Sequence, residues 1–553
     1  MSAFDTNSVE SGLKRRDVML TGVSAAALAL GIGIAGRPAR AAGIAGQCID
    51  AFTQEAVNFN PLLYVNTGVE TAVEYSVFDT LWKIDPAGKF VPNLATEIPS
   101  VENGGVSKDG LEWTIKLKSG VTWHDGAPFT SKDVIFTLQT LMNPKVAVRS
   151  RNGHDHVQTF EAPDASTVKI KLKGPFAAYL VSWQKTSIIP EHILAKEADI
   201  NLAPFNTKPI GTGPFIFKER VAGDHIEFAP NPAYHGGAPK LTSLIQKYVP
   251  DQQTLYAQFQ TGEVSIFDSQ GIPPQLYSRA KALPGVKAVL GASPFVEFVY
   301  FNLGKPQFSE KIVRQALYRA MDRRGWVDAV YYGLPVPTLS YLPPSHWAYN
   351  PNLKTPAFDL AAAAKMLDEA GWKVGPDGVR AKGEVRLAFT NSTTAGNKSR
   401  EQAQQLVQQN FKKIGVEMTI HNMPASVVWG DYTVKSQFDT LTVGWDSLLY
   451  PDPDYTDRIA SDRIPVKSGT GSNYVQYQNP EIDALCAQGV TTIDQEARKA
   501  IYWKIQEILL EDLPFAPIFA YQVVLGVSDK VSGFAPNPYT PCSSWNNAEW
   551  STT

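Results

Sequence analysis

Apolar residues recur at three- and four-residue spacing in some stretches of the chain and at every second position in others. Val134, Leu138 and Leu141 mark one face of a helix that Thr130 and Asp133 would open as a capping box. Asp359 is placed to cap a helix over 360–370, with Gly371 just past its end. Ala403, Leu406, Val407, Phe411 and Ile414 form a single stripe over 400–414, ahead of Gly415. Ile501, Ile505, Ile508 and Leu509 do the same over 495–511, and Pro514 stops that element. Residues 111–117 and 167–172 alternate apolar and polar side chains, as half-buried strands do. Helical and strand-like segments interleave along the whole chain, which predicts an α/β protein.

The N-terminus follows a different pattern. Lys14-Arg15-Arg16-Asp17 precedes the uncharged stretch 18–36, and Ala39-Arg40-Ala41 places small residues around a cleavage point. Residues 1–41 therefore read as a secretory leader cut after about Ala41, and the arginine pair points to twin-arginine export into the periplasm. Lys14, Val18, Met19 and Leu20 depart from the fuller twin-arginine pattern, so general secretion stays open. An uncleaved anchor is the alternative, although Gly22, Gly31, Gly33 and Gly36 weaken a spanning helix. Gln47 precedes Cys48 where a lipid-attachment site needs a small residue.

Composition acts mainly by exclusion. With 553 residues the chain has room for two to four lobes. Its 51 basic and 54 acidic side chains give a net charge of −3, so no basic surface for nucleic acid is expected. Three cysteines cannot build a four-cysteine zinc site within one chain. In an exported protein a Cys48–Cys542 bridge and three separate buried thiols are both possible.

The search for chemistry yields little. There is no His-Glu-x-x-His, no Gly-x-Ser-x-Gly and no phosphate loop ending in Gly-Lys-Ser/Thr. Gly211-Thr212-Gly213-Pro214 lacks the third glycine of a dinucleotide loop and reads as a tight turn. His154-Asp155-His156 lacks a nearby third ligand and reads as a solvated loop. Alternating prolines make Asp452 and Asp454 part of a rigid turn rather than an acid–base pair. No catalytic residue, metal or cofactor is assigned. Tyr64, Phe267, Trp429, Trp445 and Tyr450 are aromatic residues in loop contexts, where a ring either stacks on a ligand or packs beneath the loop.

Ordered motifs then accumulate. Val77-Phe78-Asp79-Thr80-Leu81, Pro92-Asn93-Leu94-Ala95 and Trp123-His124-Asp125-Gly126 are followed by Gly211-Thr212-Gly213-Pro214-Phe215 and Asn231-Pro232-Ala233-Tyr234. Val313-Arg314-Gln315-Ala316-Leu317, Ala320-Met321-Asp322-Arg323, Gly444-Trp445 and Glu511-Asp512-Leu513-Pro514 complete the series. This series resembles family 5 of the bacterial extracellular solute-binding proteins, the peptide, opine and nickel receptors of ABC importers. Most of these motif residues are expected to be structural, with Arg314 and Asp322 setting local charge geometry. The resemblance implies a periplasmic-binding-protein type II fold, with two lobes joined by a hinge and an extra subdomain inserted in lobe I. Lobe I would comprise 42–78, 203–296 and 520–553, the inserted subdomain 79–202, and lobe II 297–519. The chain would cross between lobes near residues 296 and 520.

The implied activity is capture of a small-molecule ligand by lobe closure. Delivery follows to the transmembrane subunits of an ABC permease with separate ATPase subunits. A monomer is expected, and a closed form offered to a chemoreceptor would use the same surface. The resemblance places ligand contacts at Tyr64, Asn66 and Thr67, at Phe267, Asp268 and Ser269, and at Trp445, Asp446, Leu449 and Tyr450. Peptide binders of the family carry an aspartate for the α-amino group where alignment on Asp452-Pro453 puts Leu449, and a buried ammonium without that partner is costly. Asp446 could take over that role. The expected ligand is an opine-like conjugate, a modified peptide or a glycoside, stacked on Trp445 and Tyr450. An ordinary oligopeptide is the alternative, and a secreted hydrolase the remote one.

Overall fold

The computed structural model describes residues 45–63, 68–148, 150–151, 153–268, 271–446 and 450–553. The leader and five of the expected contacts (Tyr64, Asn66, Thr67, Ser269 and Leu449) lie outside the described residues. Among those described, no helix is long and apolar enough to cross a membrane.

Local signals open and close the helices as expected. Thr130 and Asp133 make the reciprocal capping box of helix Ser131–Met142. Asp359 accepts from the Ala362 amide at 2.9 Å to start Leu360–Glu369, and Gly371 adopts φ +87° beyond its end. The amphipathic stretch at 400 begins two residues earlier than expected, because Asn397 caps Lys398–Lys413. Helix Gln495–Asp512 starts on Asp494 and ends where Leu513 turns left-handed before Pro514.

A mixed sheet organises the molecule. Its main path runs Glu417–Ile420, Ala388–Ser392, Thr440–Trp445, Val286–Phe301, Phe515–Ser528, Ile266–Phe267, Gln47–Phe52, Ser243–Tyr248, His225–Pro230 and Phe215–Val221. Two strands are long, Val286–Phe301 with 16 residues and Phe515–Ser528 with 14, and they pair antiparallel. The first half of Val286–Phe301 joins the second half of Phe515–Ser528 beside Ile266–Phe267. The other halves pair beside Thr440–Trp445. Between them the register breaks, from Ala292 opposite Gln522 to Val296 opposite Ala520, and the chain bulges.

Each half of the sheet is covered on both faces, as expected for strands flanked by helices. In Val286–Phe301, Val296, Phe298 and Tyr300 enter one core while Val299 and Phe301 enter another, as the two-residue period of a strand requires. In Gln47–Phe52, Cys48 and Phe52 point to one core and Ala51 to the other. A further core, from Leu81 to Ile188, holds Trp82, Trp113, Trp123 and Trp183 around a separate small sheet.

Several expectations change in this context. All three cysteines are buried free thiols, with Cys48 and Cys542 in the same core. His154 is not solvated: it is fully buried, its Nε2 3.0 Å from Thr186 Oγ1 and its ring edge-on to Trp183. Burial pushes its pKa down to about 3. Arg314 does not pair with Asp322; it donates to the carbonyls of Phe308, Asp512 and Leu513, while Asp322 caps the next helix through the Gly325 amide. Gly211 and Gly213 lie in a bend rather than a hydrogen-bonded tight turn, and contact explains the glycines. A Cβ on either would strike the Val77 carbonyl.

Candidate ligand-binding site

A cavity of about 370 Å³ opens at the register break between the two half-sheets. Ser293 and Phe295 come from the bulge, Tyr521 to Val524 from the middle of Phe515–Ser528, Gly444 from a strand end and Arg400 from a helix start. A second cavity of about 330 Å³, lined by Tyr318, Arg319, Met366 and Leu510 among others, shares no residue with it.

The first wall is electrostatic. Glu297 is fully buried in an otherwise apolar run, and Arg400 forks onto it, Nε to Oε1 at 2.7 Å and Nη2 to Oε2 at 2.8 Å. Tyr521 Oη donates to the same Oε2 at 2.7 Å. Burial works against the charge of Arg400, but Glu297 more than offsets it and holds the guanidinium firmly protonated. Gly444 pairs with Glu297 across the strands, and a Cβ there would come within 2.9 Å of Arg400 Nη2. The glycine of the Gly-Trp motif is thus explained by the space that the ion pair needs.

An aromatic corner follows Gly444, outside the cavity lining. Trp445 is half-buried, edge-on to Trp429 at 5.5 Å, and carries the Arg458 guanidinium 4.3 Å from its ring centroid. Burial pushes the Asp446 carboxyl up, against the pull of Lys185 and Arg458. The turn beyond is pinned from beneath. Arg498 forks onto Asp452 at 2.8 Å twice, His346 Nε2 and Trp347 Nε1 contact the Pro451 carbonyl, and Asp454 accepts from the Thr456 amide.

Three expected contact residues are placed differently from the sequence reading. Tyr450 is 5% exposed, its ring stacked on Tyr539 at 5.5 Å and against His346, so it has no free face for a ligand. Phe267 is fully buried against Phe259. Asp268 is buried too, and its carboxylate accepts from the Ser543 amide and hydroxyl. Trp445 and Asp446 follow Gly444 in the chain and are not among the residues that line the cavity. Sequence reasoning missed Glu297, Arg400, Tyr521 and Arg458. A lone acid inside Phe295-Val296-Glu297-Phe298-Val299 was the available signal, because a buried carboxylate demands a partner. Arg458 left no such mark.

The carboxylates of Glu219 and Glu227 and the His225 ring lie within 4.8 Å of one another on the edge hairpin. Lys218 holds Glu227 and Asp224 holds His225, so this group is already engaged.

A bilobal α/β protein with its cavity where two long strands pass between half-sheets has the anatomy of a solute-binding protein. Residues 89–463 match the family model described as bacterial extracellular solute-binding proteins, family 5 Middle. The chain belongs to this family. It is 30% identical over 496 residues to the oligopeptide-binding protein AppA of Bacillus subtilis, covering 88% of each chain. The structure of that protein in complex with a nonapeptide matches with a TM-score of 0.71 at 28% identity, over 94% of this chain and all of the other. The glutathione-binding protein GsiB of Salmonella typhimurium is 29% identical over 529 residues, covering 93% of this chain and 96% of the relative. NikZ from Campylobacter jejuni in complex with Ni(L-His) matches with a TM-score of 0.74 at 27% identity, over 92% and 100%. The fold is the two-lobed type II fold of these proteins, and the function is solute binding for an ABC importer.

Proposed function

We propose that the protein is exported to the periplasm, closes its lobes around a small conjugated solute and hands it to the transmembrane subunits of a permease. The solute is a modified peptide, an opine-like compound or a glycoside, held at Trp445 and Asp446. The observation that carries this reading is the cavity at the register break, where both half-sheets contribute wall residues. The hinge is assigned to the crossings near 296 and 520. Lobe I is 42–78, 203–296 and 520–553, the inserted subdomain 79–202 and lobe II 297–519. The separate core from Leu81 to Ile188 supports the subdomain boundary. Solute contacts to both lobes would favour the closed form by no more than their differential affinity for it. The chain contributes capture and release and performs no bond-making step.

An ordinary oligopeptide is the second reading, favoured by the similarity to AppA. Mass spectrometry of what denaturation releases from gently purified mature protein, followed by calorimetry with that compound, separates the two. Small-angle scattering with and without the compound tests closure. An unchanged profile, or turnover of the compound by the isolated chain, overturns the proposal.

A further inference from the structure

Among the described residues, four arginines are at least nine-tenths buried: Arg314, Arg380, Arg458 and Arg498. Three are matched. Arg314 donates to the carbonyls of Phe308, Ser309, Asp512 and Leu513. Arg380 reaches the Asp368 carboxylate and the carbonyls of Trp372 and Ile414. Arg498 has the Asp452 fork. Arg458 is 5% exposed and has no hydrogen-bond or ion-pair partner among the described residues; its Nε is fully enclosed without an acceptor.

What Arg458 does have is ring surface. It lies over Trp445 at 4.3 Å and near Tyr455 at 5.7 Å. The indole Nε1 of Trp445 is likewise enclosed without an acceptor. A charged donor and a neutral one are therefore left over side by side, at the end of the strand whose Gly444 lines the cavity. Asp446 acts on Arg458 through space but makes no hydrogen bond or ion pair with it. Keeping a guanidinium out of water without an anion is costly, and folded proteins pair such groups. The planar fork of arginine is shaped for a carboxylate, which it grips through two parallel bonds.

We propose that Arg458, backed by Trp445, is a subsite for a carboxylate of the solute, so that the captured compound is anionic or zwitterionic and not a neutral glycoside. This rests on the solute-binding reading above and narrows its ligand class.

Calorimetry provides the test, with wild type, Arg458→Gln and Arg458→Lys in exported, mature form. The probes are a tripeptide library with free C-termini, the same library as C-terminal amides, glutathione and a panel of neutral glycosides. Glutathione carries a second free carboxylate on its γ-linked glutamate, so binding of glutathione without binding of the tripeptide acids points to that carboxylate rather than to a peptide C-terminus. The expected result is a carboxylate-bearing probe that binds wild type at least ~30-fold more tightly than its amide. Arg458→Gln should lose that acid-over-amide preference, and Arg458→Lys, with charge but no fork, should keep part of it. A purely structural role for Arg458 would weaken acid and amide equally, and that outcome overturns the proposal. Tight binding of a glycoside with lobe closure by scattering also overturns it, while leaving the solute-binding reading intact. Failure of every probe to bind or to close wild type removes both.

Discussion

At Asp79 and at Trp445 the chain buries charge beside aromatic rings, and the two places are finished differently. Asp79 is 1% exposed and accepts from Asn93 Nδ2 at 2.8 Å, Thr212 Oγ1 at 3.1 Å and Tyr234 Oη at 3.2 Å. His235 Nε2 stands at 3.0 Å and Lys83 Nζ at 3.6 Å. Burial alone would raise this carboxyl, but His235, Lys83 and Asn93 hold it far below the usual range. At Trp445, Arg458 lacks any such partner and the indole N–H is left over. The Asp79 carboxylate is fully engaged and ties residues near 80–93 to residues near 212–235, although His235 Nδ1 beside it has no partner. The Trp445 corner is incomplete by one anion. The Asp79 carboxylate is held by side chains of its own chain, whereas the Arg458 guanidinium has ring surface and no hydrogen-bonded anion among the described residues.

Substitutions can break this comparison. Asp79→Ala should cost the most, ~3–5 kcal/mol of unfolding free energy, because a lysine and several donors lose their shared acceptor. Urea denaturation measures it, and a loss below ~1 kcal/mol would mean that the cluster does not hold the segments together. Arg498→Met should cost ~3 kcal/mol by leaving the enclosed Asp452 carboxylate without its cationic partner. The double change Arg498→Met with Asp452→Leu should recover most of that loss, which a double-mutant cycle reads directly.

Two buried histidines give a pH effect of intermediate size. Burial pushes His154 to about 3 and His346 to about 4, whereas an unfolded histidine titrates near ~6.5. Between those values the unfolded chain takes up protons that the folded chain refuses, so stability falls as pH falls through the window from ~6.5 to ~4. Going from pH 7 to pH 5 should cost ~2 kcal/mol per histidine. His346→Gln should remove about half of this slope in denaturation curves at pH 7, 6 and 5. A slope that does not change would show that His346 is not held neutral. The smallest stability effect is expected at the incomplete corner. Trp445→Ala should change unfolding free energy by ~1 kcal/mol or less yet weaken solute binding by a factor on the order of 10 or more. A large stability loss there with unchanged affinity would reverse the assignment of the two regions.

Much of the scaffold was legible beforehand because its causes are local. The Thr130–Asp133 box, the Asp359 cap and Gly371 each act within three or four residues, and strand Thr167–Leu172 falls where its alternation put it. The site was legible only in part. A motif singled out Trp445 and Asp446 as expected contacts, but Tyr450, Phe267 and Asp268 look like loop residues until Tyr539, Phe259 and Ser543 are seen against them. His154 reads as polar loop for the same reason, since Trp183 and Thr186 enclose it only after folding.

By itself the sequence determined the α/β alternation, the helix boundaries and the membership in a family of solute-binding proteins, since periodicity, capping and ordered motifs are carried by residues near one another in the chain. Tertiary structure alone decided which charges are matched. Arg400 finds Glu297 across 103 positions and Arg498 finds Asp452 across 46, while Arg458 finds no hydrogen-bond or ion-pair partner among the described residues. Whether a buried charge is satisfied depends on what the fold brings within 3–4 Å of it. Nothing in the neighbouring residues encodes that distance.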